Sequence, residues 1–115
     1  MATNTSRTLD YYRKLGFECG VVERFNSFTK QRHDLFGIID IIAIDEKITL
    51  GIQSCGQAFS EHDKKILESP ESTKWVKAKD RVLILIGWRK LKVKRGGKAM
   101  RWTPRIKEYK ESEFK

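Results

Sequence analysis

The run Gly37-Ile-Ile-Asp-Ile-Ile-Ala-Ile44 sets one carboxylate, Asp40, inside a segment that is otherwise apolar and of strand length. A run of this kind is suited to a buried strand. A carboxylate there costs several kcal/mol of desolvation unless something pairs with it, and a metal ion is one such partner. Thirteen residues further on, the next apolar run carries Gln53 in Leu50-Gly-Ile-Gln-Ser-Cys55. The intervening Asp45-Glu-Lys47 suits a hairpin turn that would lay the two runs side by side.

The chain has 115 residues, enough for one domain spanning 1–115 with a core that needs no staples. Its 39% hydrophobic and 34% charged residues are the composition of a folded soluble protein rather than a disordered one. No stretch approaches the roughly 20 apolar residues of a membrane helix, and Met1-Ala-Thr-Asn-Thr-Ser-Arg7 lacks the apolar core of a signal peptide. The expected location is therefore the cytoplasm, or the host cytoplasm if the chain is phage-encoded, with no membrane partner. Cys19 and Cys55 form no disulfide framework, and Cys19, His33, Cys55 and His62 match no short zinc-knuckle spacing.

The formal charge of +9 is confined to one segment. Between Gly87 and Lys107 stand nine basic residues (Arg89, Lys90, Lys92, Lys94, Arg95, Lys98, Arg101, Arg105 and Lys107) and no acid, while the other fifteen Lys/Arg are matched by fifteen Asp/Glu. Cations so placed repel one another unless a polyanion lies nearby, which points to phosphate and so to nucleic acid. Arg89, Lys90, Lys92, Lys94, Arg95, Lys98 and Arg101 are the candidate contacts. Trp88 and Trp102 bracket the segment and suit either base stacking or the core.

Local signals predict a first helix capped by Thr5 or Ser6, with Leu9, Tyr12 and Leu15 facing inward and Gly16 at its end. An extended stretch over 17–28 and a mobile polar loop over 26–36 precede the hairpin. Two short helices follow: residues 61–68, with Ser60 as cap and Pro70 beyond the end, and residues 72–79, with Trp75 and Val76 packing. Residues 81–87 read as a central strand. Residues 88–95 and 98–102 form a basic hairpin turning at Gly96-Gly97, Pro104 ends or edges its second strand, and Ile106 and Tyr109 fall in a polar tail. The fold class is α/β.

This order of elements, over roughly Thr5 to Gly87, resembles the PD-(D/E)xK nuclease superfamily, and within it the archaeal-type Holliday junction resolvases and related small phage nucleases. Asp40 matches the aspartate of the first motif. The second motif, an acid, a spacer and a lysine on the next strand, falls on Gln53-Ser54-Cys55. The resemblance implies a restriction-endonuclease-like domain, with a central mixed sheet flanked by helices and the basic hairpin at its C-terminal end. It also implies Mg²⁺ or Mn²⁺ held by Asp40, by Gln53, since some members use glutamine there, and by the Ser54 carbonyl. Glu23 is the candidate second acid and Asp34 a weaker one, while Asp10 lies too far along the first helix to match the acid the resolvases carry there.

Cys55 stands where the family has its lysine, and Lys65, or Lys64, on the following helix is the candidate replacement. Arg32 and His33 are candidate DNA contacts in the loop. The implied activity is metal-dependent, structure-specific cleavage of branched or junction DNA by a homodimer. Two other classes compete: a catalytically impaired DNA-binding protein of the same fold, and an RNA-binding or ribosome-associated basic module. Structural alternatives also stand beside each residue: Asp40 bonded to Arg24 or to backbone N–H groups, Gln53 on a half-buried surface strand, Glu23 in an exposed pair with Arg24, Lys64 and Lys65 on a solvated helix face.

Overall fold

The computed structural model describes residues 3–114. Helix α1 (Asn4–Lys14) starts from Thr3, whose hydroxyl accepts the Ser6 N–H while Ser6 Oγ accepts the Thr3 N–H. This reciprocal cap moves the start ahead of Thr5 and Ser6, because it satisfies an extra orphan donor. Gly16, at φ +100°, turns the chain out of the helix. Strand β1 (Glu18–Val21) follows, then the short β2 (Arg24–Asn26) and β3 (Gln31–His33), then β4 (Ile41–Ile44) and β5 (Thr49–Cys55). Helices α2 (Phe59–Glu68) and α3 (Pro70–Lys77) lead to the long strands β6 (Arg81–Lys92) and β7 (Met100–Tyr109), and a 3₁₀ turn at Glu111–Glu113 follows.

Five strands form one mixed sheet in the order β1-β4-β5-β6-β7, in which only β5 and β6 run parallel. A parallel pair needs a crossover, and α2 with α3 supplies it. Side chains alternate across the sheet. On one face Ile41, Ala43, Leu50, Ile52, Ile84, Ile86 and Trp88 pack with Tyr12 of α1. On the other, Cys55, Leu83, Leu85 and Tyr109 pack with Phe59 and Ile66 of α2 and Trp75 of α3. Strand β6 is covered on both sides, which is why residues 82–86 are uninterruptedly apolar.

The helices hold fixed positions through backbone notches and buried polar bonds. A Cβ at Gly51 would lie 2.8 Å from the Trp75 ring, so this glycine lets α3 seat its indole on β5. Trp75 Nε1 donates to the Val82 carbonyl at 2.9 Å. On the opposite face Trp88 Nε1 donates to Thr8 Oγ1 at 2.9 Å, and that hydroxyl lies 3.2 Å from Ser54 Oγ, tying α1 to β5 and β6.

Several local expectations are corrected. Residues 26–36 are not an unstructured loop: β2 and β3 pair antiparallel, Asn26 Oδ1 accepts the N–H groups of Phe28 and Thr29, and Lys30 takes φ 60° to close the turn. The strand ending at Gly87 and the basic strand after it are one 12-residue strand, β6. Pro104 does not end its strand but lies within β7 opposite Trp88, and β7 is an edge strand as the alternative expectation had it, where one side needs no N–H. Ile106 and Tyr109 belong to β7 rather than to a tail. Helix α2 begins at Phe59 with Ala58 in the cap position and no side-chain cap, so Ser60 is not its cap; it ends at Glu68, with Pro70 beyond the end as expected, and the same proline opens α3. Among the described residues no helix is long and apolar enough to cross a membrane.

Candidate functional site

The β4–β5 hairpin, closed by Asp45 Oδ1 accepting the N–H groups of Lys47 and Ile48, sets the two runs in register, with Ile41 opposite Ile52. Asp40 therefore stands at the mouth of β4, one step before the strand, opposite Gln53. Its N–H donates to the Ile52 carbonyl at 2.9 Å. Its carboxylate accepts the Gln53 amide at 3.2 Å and the Ser54 N–H at 3.3 and 3.2 Å. An extended residue points its N–H and C=O to the same edge, so the Ser54 carbonyl also opens toward Asp40.

Asp40 and Gln53 are only 6% and 3% exposed, so this is a buried polar pair. Burial chiefly pushes the Asp40 carboxyl up to about 7, the Ser54 N–H pulls it down, and the negative charges of Asp34 and Glu23 raise it further. The Gln53 amide donates through its nitrogen to Asp40 and leaves Oε1 buried with no hydrogen-bond partner among the described residues. An orphaned buried carbonyl of this kind costs about 1–3 kcal/mol.

Glu23 and Asp34 flank the β2–β3 hairpin at its base. Glu23 lies 3.8 Å from Arg32 Nη1 and Asp34 3.7 Å from Lys65 Nζ. Lys65 thus reaches the acidic rim through Asp34. Cys55 shares the sheet face of Gln53, two residues on, and is 5% exposed. Burial and the Asp40 charge push its thiol up to about 11, against the pull of Arg105, so it carries no charge at neutral pH.

Pleating divides the basic segment. Arg89 and Arg101, like Arg105 and Lys107, project on the α2 face that holds Gln53 and Cys55. Lys90 and Lys92 project on the α1 face, where Lys90 and Arg7 both lie over the Trp102 ring, at 5.3 and 3.6 Å from its centre. Lys94, Arg95 and Lys98 sit in the turn at residues 93–99. Trp88 is core, at 6% exposure. His33 and Arg32 lie on exposed β3, and the tip of the same hairpin carries Phe28, 96% exposed, which the sequence reading passed over. Its signal was an aromatic among Arg24, Lys30, Arg32 and His33.

Among the described residues no three His, Cys, Asp or Glu side chains gather closely enough to hold a metal ion. The oxygens at hand are the Asp40 carboxylate, the Gln53 amide and the Ser54 carbonyl, a hard donor set suited to Mg²⁺ or Mn²⁺ with water completing the shell. A half-turn of the Gln53 amide sets Oε1 against Asp40, an arrangement that a cation or a proton between the two oxygens stabilises, and the orphaned oxygen fits that role. Comparison of the chain with protein-family models, with curated proteins and with solved structures returns no match.

Proposed function

We propose that the chain is a divalent-metal-dependent endonuclease of restriction-endonuclease-like fold that cuts branched or otherwise structured DNA. The observation that carries this reading is the buried Asp40–Gln53 pair with its unpartnered amide oxygen, on the same sheet face as the arginines of β6 and β7. A buried acid repelled by two others and an amide oxygen without a donor are together unexplained by packing, and a hard cation answers both.

Asp40, Gln53 and the Ser54 carbonyl would hold the ion, which supplies the charge that polarises a phosphodiester and acidifies an attacking water. Glu23 and Asp34 add negative potential at the rim, with Arg32 and Lys65 keeping those carboxylates in place. The arginine-bearing strands carry the backbone of the DNA toward the pair. Incubated with Mg²⁺ or Mn²⁺ and a synthetic four-way junction, the purified protein is expected to nick it and Asp40→Asn to leave it whole. Equal inertness of both proteins with both metals removes the enzymatic reading.

A second reading, a DNA-binding protein of this fold without catalysis, is favoured by Cys55, a buried neutral thiol where the nuclease pattern has a cation. It predicts junction binding that neither EDTA nor Asp40→Asn alters.

A further inference from the structure

Cys55, Gly87 and Arg105 form one row across β5, β6 and β7. All three lie on the α2 face, and the middle position has no side chain. A Cβ at Gly87 would lie 2.6 Å from Phe59 Cδ2, so the Phe59 ring fills that notch. The Arg105 guanidinium rests on the ring, its Cζ 4.1 Å from the centre. Arg89 is the diagonal neighbour of Arg105 on the same face. Between them opens a cavity of about 310 Å³ lined by Gly56, Gln57, Phe59, Gly87, Arg89 and Arg105.

No carboxylate among the described residues pairs directly with either of these two cations. Asp63 of α2, which feels the Arg105 charge, is bonded instead to Lys107 at 2.9 Å and Tyr109 at 2.6 Å. Like charges side by side on a sheet are destabilising. At the edge of the same cavity α2 begins with no side-chain cap, so its first N–H groups add positive potential.

We propose that this cavity is a phosphate subsite in which Arg89 and Arg105 grip a phosphodiester of the bound strand, Arg105 supplying from β7 the positive charge that Cys55 lacks. The assignment rests on the nucleic-acid part of the function proposed above and names where that strand is held. The Cys55 thiol links the two halves of the site, two residues past Gln53 on the same sheet face and in the row of Gly87 and Arg105. A phosphate in the cavity therefore lies on the same sheet face as the Asp40–Gln53 pair. Guanidinium is suited to the task because its planar fork binds phosphate bidentately.

The test is the affinity of a fluorescent four-way junction, titrated in EDTA at several salt concentrations, with no cleavage read. Arg105→Ala and Arg89→Ala are each expected to weaken binding about tenfold and to reduce the salt slope by about one. Arg105→Lys should keep the slope, Cys55→Lys should restore much of the affinity of Arg105→Ala, and Lys47→Ala, on the distant β4–β5 turn, should match wild type. Circular dichroism melts confirm that each variant is folded. Inorganic phosphate, followed by ³¹P line broadening, distinguishes the source of the anion: it should bind weakly to wild type and compete with the junction. Phosphate binding that Arg105→Ala abolishes without touching junction affinity would mean a free-phosphate site and overturn the proposal. Arginine variants that bind as Lys47→Ala does overturn it while leaving the nuclease reading intact. Wild type that shows no salt-dependent DNA binding overturns both.

Discussion

At position 40 the fold makes an acid weak. The Asp40 carboxyl moves from an ordinary 3.8 to about 7, chiefly through burial. The protonated form is favoured in the folded state, so the unfolded chain loses this proton first as pH rises. Stability from this group is full below about pH 4 and declines as pH climbs through about 7, by on the order of 4 kcal/mol in all. Melts of metal-free protein from pH 5 to pH 8 should show this fall, and Asp40→Asn should flatten it; an unchanged slope in the variant would place the titration elsewhere. On the proposed function metal binding would displace the same proton, so Mn²⁺ affinity measured calorimetrically should drop about tenfold per pH unit below 7 and level off above it. The residues themselves announced half of this. A lone carboxylate in an apolar run cannot stay unpartnered, so Asp40 was legible, and Gln53 with it through the hairpin spacing. The orphaned Gln53 oxygen was not, because it depends on which way an amide points inside a packed interior.

Elements decide what each side chain can reach. Strand β5 presents Gln53 and Cys55 to one face and Ser54 to the other, where Thr8 of α1 meets it. Thr8 is completely buried and also receives the Trp88 indole N–H. Thr8→Val keeps the shape and removes both bonds together with the one the hydroxyl donates to the Asn4 carbonyl at 2.8 Å, leaving the buried Trp88 N–H unsatisfied at a cost of about 1–3 kcal/mol. Urea denaturation should report this loss, and a midpoint equal to wild type would mean that the hydrogen bonds do not hold α1 in place. The hairpin of β2 and β3 shows where element-level reading stops. Polar residues 26–36 lack period-2 apolar alternation, so propensity alone reads loop; the Asn26 side chain, by capping two backbone N–H groups, makes it a turn. The basic strand was legible as strand, but its continuity with the central one was not, since a Trp–Arg–Lys sequence after Gly87 looks like an interruption.

Across the whole molecule the excess positive charge is confined to β6, β7 and the turn between them, and pleating divides it between the two faces of the sheet. Arg89, Arg101 and Arg105 share the face of the Asp40–Gln53 pair, while Lys90 and Lys92 cover the other. A protein that cuts both strands of a junction symmetrically needs two such sites, so the proposed function predicts a homodimer. Sedimentation velocity should find a species of twice 13.5 kDa, free or on a junction. A monomer in both states would remove symmetric cleavage from the proposal.

Composition and patterning by themselves determined the class of fold, the hairpin that pairs Asp40 with Gln53 and the confinement of excess charge to one segment, because period, turn chemistry and charge are local properties. Only the tertiary structure decided that Cys55, Gly87 and Arg105 share a row, that Lys65 answers Asp34, and that half of the basic strand turns away from the site. The first follows from strand register and the second from how α2 packs on the sheet, both between segments far apart in sequence, which no single segment encodes.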